Sequence, residues 1–125
     1  MKKTIIVLSA MLMPYLAHAY GCEKPRNAYD LLYCKALVLV QADRDLNQEY
    51  SHLLTQLNAA QKETLKKGQL AWIAERDEQC SVDTGDNRSM RPQCALDMMH
   101  TRITFLQERE RECGSTGCVE AKLGG

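Results

Sequence analysis

The sequence predicts an all-α fold, a three-helix antiparallel bundle or hairpin stapled by disulfides. Three observations carry that expectation. No proline occurs between Pro25 and Pro92, and Gly68 is the only glycine between Gly21 and Gly85, so a long stretch lacks backbone breakers. Apolar residues recur through it at three- and four-residue steps. Six cysteines, an even number, follow a segment that reads as an export signal, a combination that favours disulfides over free thiols.

The leader comes first. Met1, Lys2 and Lys3 give a cationic start, Ile5 to Leu16 is almost wholly apolar, and Ala17-His18-Ala19 offers small residues where a signal peptidase reads. Residues 1–19 are therefore expected to be a cleaved signal peptide, cut after Ala19, and the protein to be periplasmic or secreted. The apolar run is shorter than the roughly 20 residues a spanning helix needs, so no stable membrane insertion is expected once the leader is gone. Cys22 follows the run as a lipid-attachment cysteine would. Ala19-Tyr20-Gly21 lacks the usual leucine, however, and puts a bulky Tyr where a small residue is wanted.

The first helix is expected from about Ala28 to Leu57. Leu31, Cys34, Val38, Ala42 and Leu46 step along one face, followed by Tyr50 or Leu53 and then Leu57; Arg44, Gln48, Glu49 and Gln56 mark the other. Asn58 with Gln61 three residues later forms a capping-box pattern that opens a second helix running to about Ser81. Leu65, Trp72, Arg76 and Cys80 lie along one side of it. Gly68 inside this helix costs about 1 kcal/mol relative to Ala, which calls for close helix contact or a local break. Ser81 to Arg91 is rich in turn formers and reads as a loop, its base tied by the cysteines on either side. Pro92 suits the first turn of a third helix carrying Cys94, Met98, Thr101, Arg102, Phe105 and Arg109 inward, and Gly114 is the expected C-terminal cap. One helical domain is expected over residues 20–118, with a flexible tail at 119–125.

Pairing sequence neighbours is the simplest disulfide scheme: Cys22–Cys34, Cys80–Cys94 and Cys113–Cys118. Each loop so closed is worth about 2–3 kcal/mol in the chain-entropy picture. A zinc site is the competing use, but no interval is the two-residue gap of a zinc knuckle, and only His52 and His100 could assist in the mature part. Neither a metal nor a cofactor is expected.

Charge and motifs exclude more. Lys+Arg and Asp+Glu are 16 each, and loss of Lys2 and Lys3 leaves 14 basic against 16 acidic side chains, so no nucleic-acid partner is expected. The chain has no Gly-rich phosphate loop, His-Glu-x-x-His pair or Gly-x-Ser-x-Gly elbow. A Cys–His nucleophile would need an unpaired thiol. Glu108 and Glu112 stand beside Arg109 and Arg111 as a solvated charged face rather than a glycosidase pair. The reading is not an enzyme. More informative are polar residues beside core positions: Asn47 and Tyr50 on the first helix, Gln69, Arg76 and Asp77 on the second, Thr101 and Arg102 on the third. They make either a binding site or a buried network in which Asp43, Asp45 or Asp77 answer Arg76 and Arg102. Trp72, one turn before Arg76, is placed to stack on it.

The same residues carry a resemblance. Ala42-Asp43-Arg44-Asp45-Leu46-Asn47-Gln48-Glu49-Tyr50 resembles the A-D-x-x-L-N-x-x-Y start of the lysozyme-inhibitor LprI-like domain. Gln69-Leu70-Ala71-Trp72 through Arg76-Asp77 to Cys80 resembles its Q-x-A-W-x-x-x-R-D-x-x-C core, and Cys94, Thr101, Arg102 and Leu106 its closing segment. Cys22 and Cys34 match its leading cysteines, while Cys113 and Cys118 lie outside the pattern. The resemblance implies a protein partner, lysozyme being the one that gives the family its name. A muramidase of the animal type is strongly basic and holds catalytic carboxylates in its cleft. In the loop, Asp83 and Asp86 are candidates for its basic rim, and Arg88 or Arg91 for a catalytic carboxylate. An immunity protein or adaptor binding another envelope protein is the alternative use of the same helices.

Overall fold

The computed structural model describes residues 22–125. The expected signal peptide lies outside them. Three helices form in chain order: α1 (Ala28–Gln56), α2 (Ala59–Cys80) and α3 (Pro92–Ser115). Each boundary has a local cause. Asn27 caps α1 by accepting the Asp30 N–H at 2.8 Å. Asn58 and Gln61 complete a reciprocal capping box at 2.9 and 3.0 Å, so only Leu57 and Asn58 separate α1 from α2. Pro92 sits in the first turn of α3, where no amide hydrogen is needed.

So short a first link makes α2 antiparallel to α1. The parallel pair is α1 with α3: Gln107 donates to Glu49 at 3.1 Å and Gln56 to Glu110 at 3.4 Å near their C-terminal ends. At the opposite end Val38 and Leu39 share a groove with Pro92 and Leu96. The core fills the middle and one end. Leu53, Leu65 and Leu106 are fully buried, with Leu46, Trp72 and Met99 around them. Three disulfides close as sequence neighbours, Cys22–Cys34, Cys80–Cys94 and Cys113–Cys118.

Four expectations change. The segment 81–91 is a small antiparallel hairpin rather than a plain loop, with β1 (Ser81–Asp83) paired to β2 (Arg88–Met90) in the register Ser81↔Met90, Val82↔Ser89, Asp83↔Arg88. Its turn closes through the Thr84 amide and hydroxyl, which donate to the Asn87 carbonyl at 3.0 and 2.8 Å, and Gly85 takes a positive φ of 84°. Second, α3 stops at Gly117 instead of Gly114. Gly117 has φ 102° and donates its N–H to the Glu112 carbonyl at 3.0 Å, while Gly114 lies within the helix.

Third, residues 119–125 fold back rather than fray. A 3₁₀ turn at Glu120–Lys122 brings Leu123 into the core, 1 % exposed. Gly124 then lies on α2 at Gly68, where a Cβ would collide with its backbone. The glycine in α2 therefore serves close contact, and the helix runs unbroken. Fourth, Leu31 and Val38, expected on the core face of α1, are exposed, because the first half of α1 lies beyond the packed core.

Candidate functional site

The motif residues divide by where the helices place them. Arg102, on α3, is buried; its Nε donates to Oε1 of Gln69 on α2 at 2.9 Å. Among the described residues no carboxylate answers it. Its guanidinium carbon instead stands 4.3 Å from the Phe105 ring centroid and 5.9 Å from that of Trp72, and its Nη2 is buried without a hydrogen-bond partner. Aromatic faces offer a cation partial compensation for lost water, and burial still pulls the Arg102 pKa below its usual value. Tyr50 packs half-buried nearby. Burial raises its pKa, against the opposing pull of the Arg102 charge.

Arg76 also stacks on Trp72, 5.3 Å from its centroid, and donates to Asp77 from Nη2 at 2.7 Å and from Nε at 3.0 Å. Gln69, Trp72, Arg76, Asp77 and Arg102 thus form one α2–α3 joint. Tyr50 borders it, while Asp43, Asp45, Asn47 and Thr101 stand apart. Asp43 accepts from Asn47 at 3.2 Å and Asp45 from Gln41 at 2.8 Å, both on exposed α1, so neither answers an arginine. The Thr101 hydroxyl donates to the Asp97 carbonyl at 3.0 Å and faces outward. Spacing alone could not separate these sets, because neighbours in helical phase diverge once one helix covers only part of another.

The hairpin carries the other candidates. Asp83, Asp86, Arg88 and Arg91 are all exposed. Arg91 is committed: its Nη2 donates to the Gln79 carbonyl and its N–H to the Cys80 carbonyl at 2.8 Å, which with Cys80–Cys94 locks the hairpin base. Arg88 makes no hydrogen bond or ion pair among the described residues. It borders a shallow pocket with Arg76, Asp77, Ser81, Ser89 and Met90.

Sequence reasoning missed the apolar ground beside the hairpin. Tyr29, Leu32, Tyr33, Leu37 and Val40 are exposed on the first half of α1. An apolar groove of about 220 Å³ runs along its flank, between the Cys22–Cys34 bridge and Leu37 on one side and Pro92 and Leu96 on the other. Its signal was legible as Leu37-Val38-Leu39-Val40, four consecutive apolar residues in a helix, which no single buried face can absorb.

Among the described residues one group has metal-ligand chemistry: Glu49 and His52 on α1 with Glu110 on α3, their ligating atoms within 4.8 Å of one another. Both carboxylates already accept glutamine amides, as described above. Among the described residues no helix is long and apolar enough to cross a membrane.

Comparison with known proteins places the chain in a family. The family model described as LprI: Lysozyme inhibitor LprI matches residues 22–121, a span holding all three helices, all three disulfides and the hairpin. Searches of curated proteins and of solved structures give no match.

Proposed function

Since this chain belongs to the lysozyme inhibitor LprI family, we propose that it binds and inhibits lysozyme-type muramidases in the periplasm or after secretion, with the 81–91 hairpin as its contact. Membership supports a protein-binding role without catalysis. The observation that carries the hairpin reading is its fixed base beneath an exposed tip: Cys80–Cys94 and the Arg91 bonds hold it in place, so less entropy is lost on docking than by a free loop. Arg88 is the cation left for a catalytic carboxylate, since Arg91 is spent on Gln79. Asp83 and Asp86 suit a basic cleft rim.

A lysis assay on bacterial cell walls with the purified oxidised protein tests both levels. The wild type is expected to slow lysis. Arg88→Ala is expected to weaken inhibition by about 30-fold or more, as loss of one partner of a desolvated charge pair does. The paired change Asp83→Asn and Asp86→Asn is expected to slow association, most at low salt. Full inhibition by both variants removes the hairpin from the contact. A wild type without effect on lysis overturns the inhibitor reading and leaves capture of another envelope protein.

A further inference from the structure

We propose that the first half of α1 is a self-association surface, on which a second copy of this chain lies antiparallel. The starting point is a stripe that the bundle does not use. Tyr29, Tyr33, Ala36 and Val40 follow one another at four-, three- and four-residue steps, so they line up along one face of α1. That face lies about a third of a turn round the helix axis from the one bearing the core residues Ala42 and Leu46. All four stripe residues are exposed, Tyr29 at 76 % and Val40 at 52 %. Leu32 and Leu37 border the stripe and are exposed as well. No charged side chain interrupts it between Tyr29 and Val40.

The spacing matches the seam of a two-helix coiled coil, where alternate three- and four-residue steps keep one apolar line facing a partner. Size favours the antiparallel arrangement. Bulky residues open the stripe, and a small one and a medium one follow. Turning a second copy end for end sets Tyr33 against the partner copy's Ala36, and Tyr29 against its Val40, large on small in every layer. A parallel pairing would oppose tyrosine to tyrosine twice and leave a gap at the Ala36 layer.

Area decides that the match is worth having. Leu31 and Val38 lie on the opposite side of α1; the stripe with Leu32 and Leu37 exposes roughly 570 Å² per copy, so two copies reach roughly 1,100 Å² in total, the size of a small, weak interface. The area per copy stands at the upper end of the largest apolar patch of most monomers, roughly 300–600 Å². The Cys22–Cys34 bridge pins the chain entering α1 against this half of the helix, so the surface is held in shape without a core beneath it. Val40, at the end of the stripe, shares a pocket with Arg76 and Met90, and the inference does not depend on which partner the hairpin tip meets.

Sedimentation of the oxidised full chain from about 1 to 100 µM tests it, since a small interface of this kind associates toward the upper end of that range. A dimer is expected at the upper end. Tyr29→Glu alone and Val40→Lys alone are each expected to give monomers, with helix content and melting temperature unchanged because both residues are exposed. Combined in one chain, the two changes are expected to restore the dimer, since antiparallel pairing sets opposite charges face to face twice. These positions are 11 residues apart on one helix, so no contact within one copy could produce that rescue. A double variant that stays monomeric overturns the antiparallel register. A wild type monomeric at every concentration overturns the proposal, whether the stripe is then covered by the chain's own Ile5–Leu16 segment or by a different protein; loss of muramidase inhibition in the single variants would identify the latter.

Discussion

The two ends of the bundle are built on different principles. At one end the close of α1, the start of α2, the close of α3 and the returning C-terminal segment bury Leu53, Leu57, Leu65, Leu106 and Leu123 around a common centre. At the other, the first half of α1 and the 81–91 hairpin leave large apolar side chains in water, and two of the three disulfides lie there. The first end is ordered by burial, which removes surface from contact. The second is ordered by covalent ties, which fix shape while leaving surface free. A protein that must present a rigid recognition face without a large core gains from that division.

Mutation at matched residues should expose the contrast most strongly. Leu65→Ala at the closed end is expected to cost about 2–5 kcal/mol in urea unfolding, because a fully buried leucine leaves a cavity. Leu32→Ala at the open end is expected to stay within about 0.5 kcal/mol. Equal losses would mean that the open end is packed after all. Replacing Cys80 and Cys94 together with Ser should cost about 3 kcal/mol and loosen hairpin amide exchange well before that of α1, since the tie stands in for packing there.

A smaller effect tests how the closed end is sealed. Gly68→Ala would gain about 1 kcal/mol of helix propensity, yet the new Cβ meets the Gly124 backbone. A net loss of about 1–3 kcal/mol is expected, with the C-terminal segment cleaved faster by protease. A more stable variant would show that Gly124 is not held against α2.

The smallest effect is electrostatic. Glu112 accepts from Lys122 and lies 3.1 Å from Arg109 Nε, a coulombic contact in which the Nε hydrogen is not directed at the carboxylate. The Lys122 hydrogen bond, followed by the neighbouring positive charges, holds the Glu112 carboxyl below its ordinary pKa. A lowered folded-state pKa contributes stability that is complete above the usual glutamate value, about 4.3, and is lost as pH falls through the folded value. Hydrogen exchange around Leu123 should therefore quicken in acid below that range. Glu112→Gln should remove this pH step.

The helices were legible because their signals are local. Asn58 with Gln61, and Pro92, act within one turn, so their positions alone mark where α2 and α3 begin, while α1 was legible from its apolar spacing; its Asn27 cap emerged only in the structure. The disulfides were legible for a similar reason, each joining neighbours in sequence. The joint at Trp72 was readable in its members, in the stack of Arg76 on Trp72 and in the Arg76–Asp77 pair, but not in what Arg102 meets. Arg102 meets Gln69 and Phe105 rather than Asp43 or Asp45, because the α1 carboxylates hydrogen-bond within their own helix. The hairpin was hidden by its length, three residues a side being too few for an alternation to show.

Composition, spacing and cysteine order determined on their own that this chain forms three helices tied in sequence, since each of those properties depends on residues near one another in the chain; its motif residues separately carried the resemblance to a family of inhibitors. Tertiary structure alone decided that α1 outruns its core and keeps Tyr29 to Val40 in water, that Gly68 makes room for a returning chain, and that Leu123 completes the packing. Those outcomes depend on where helices of unequal length end against each other, a distance in space that no local pattern encodes.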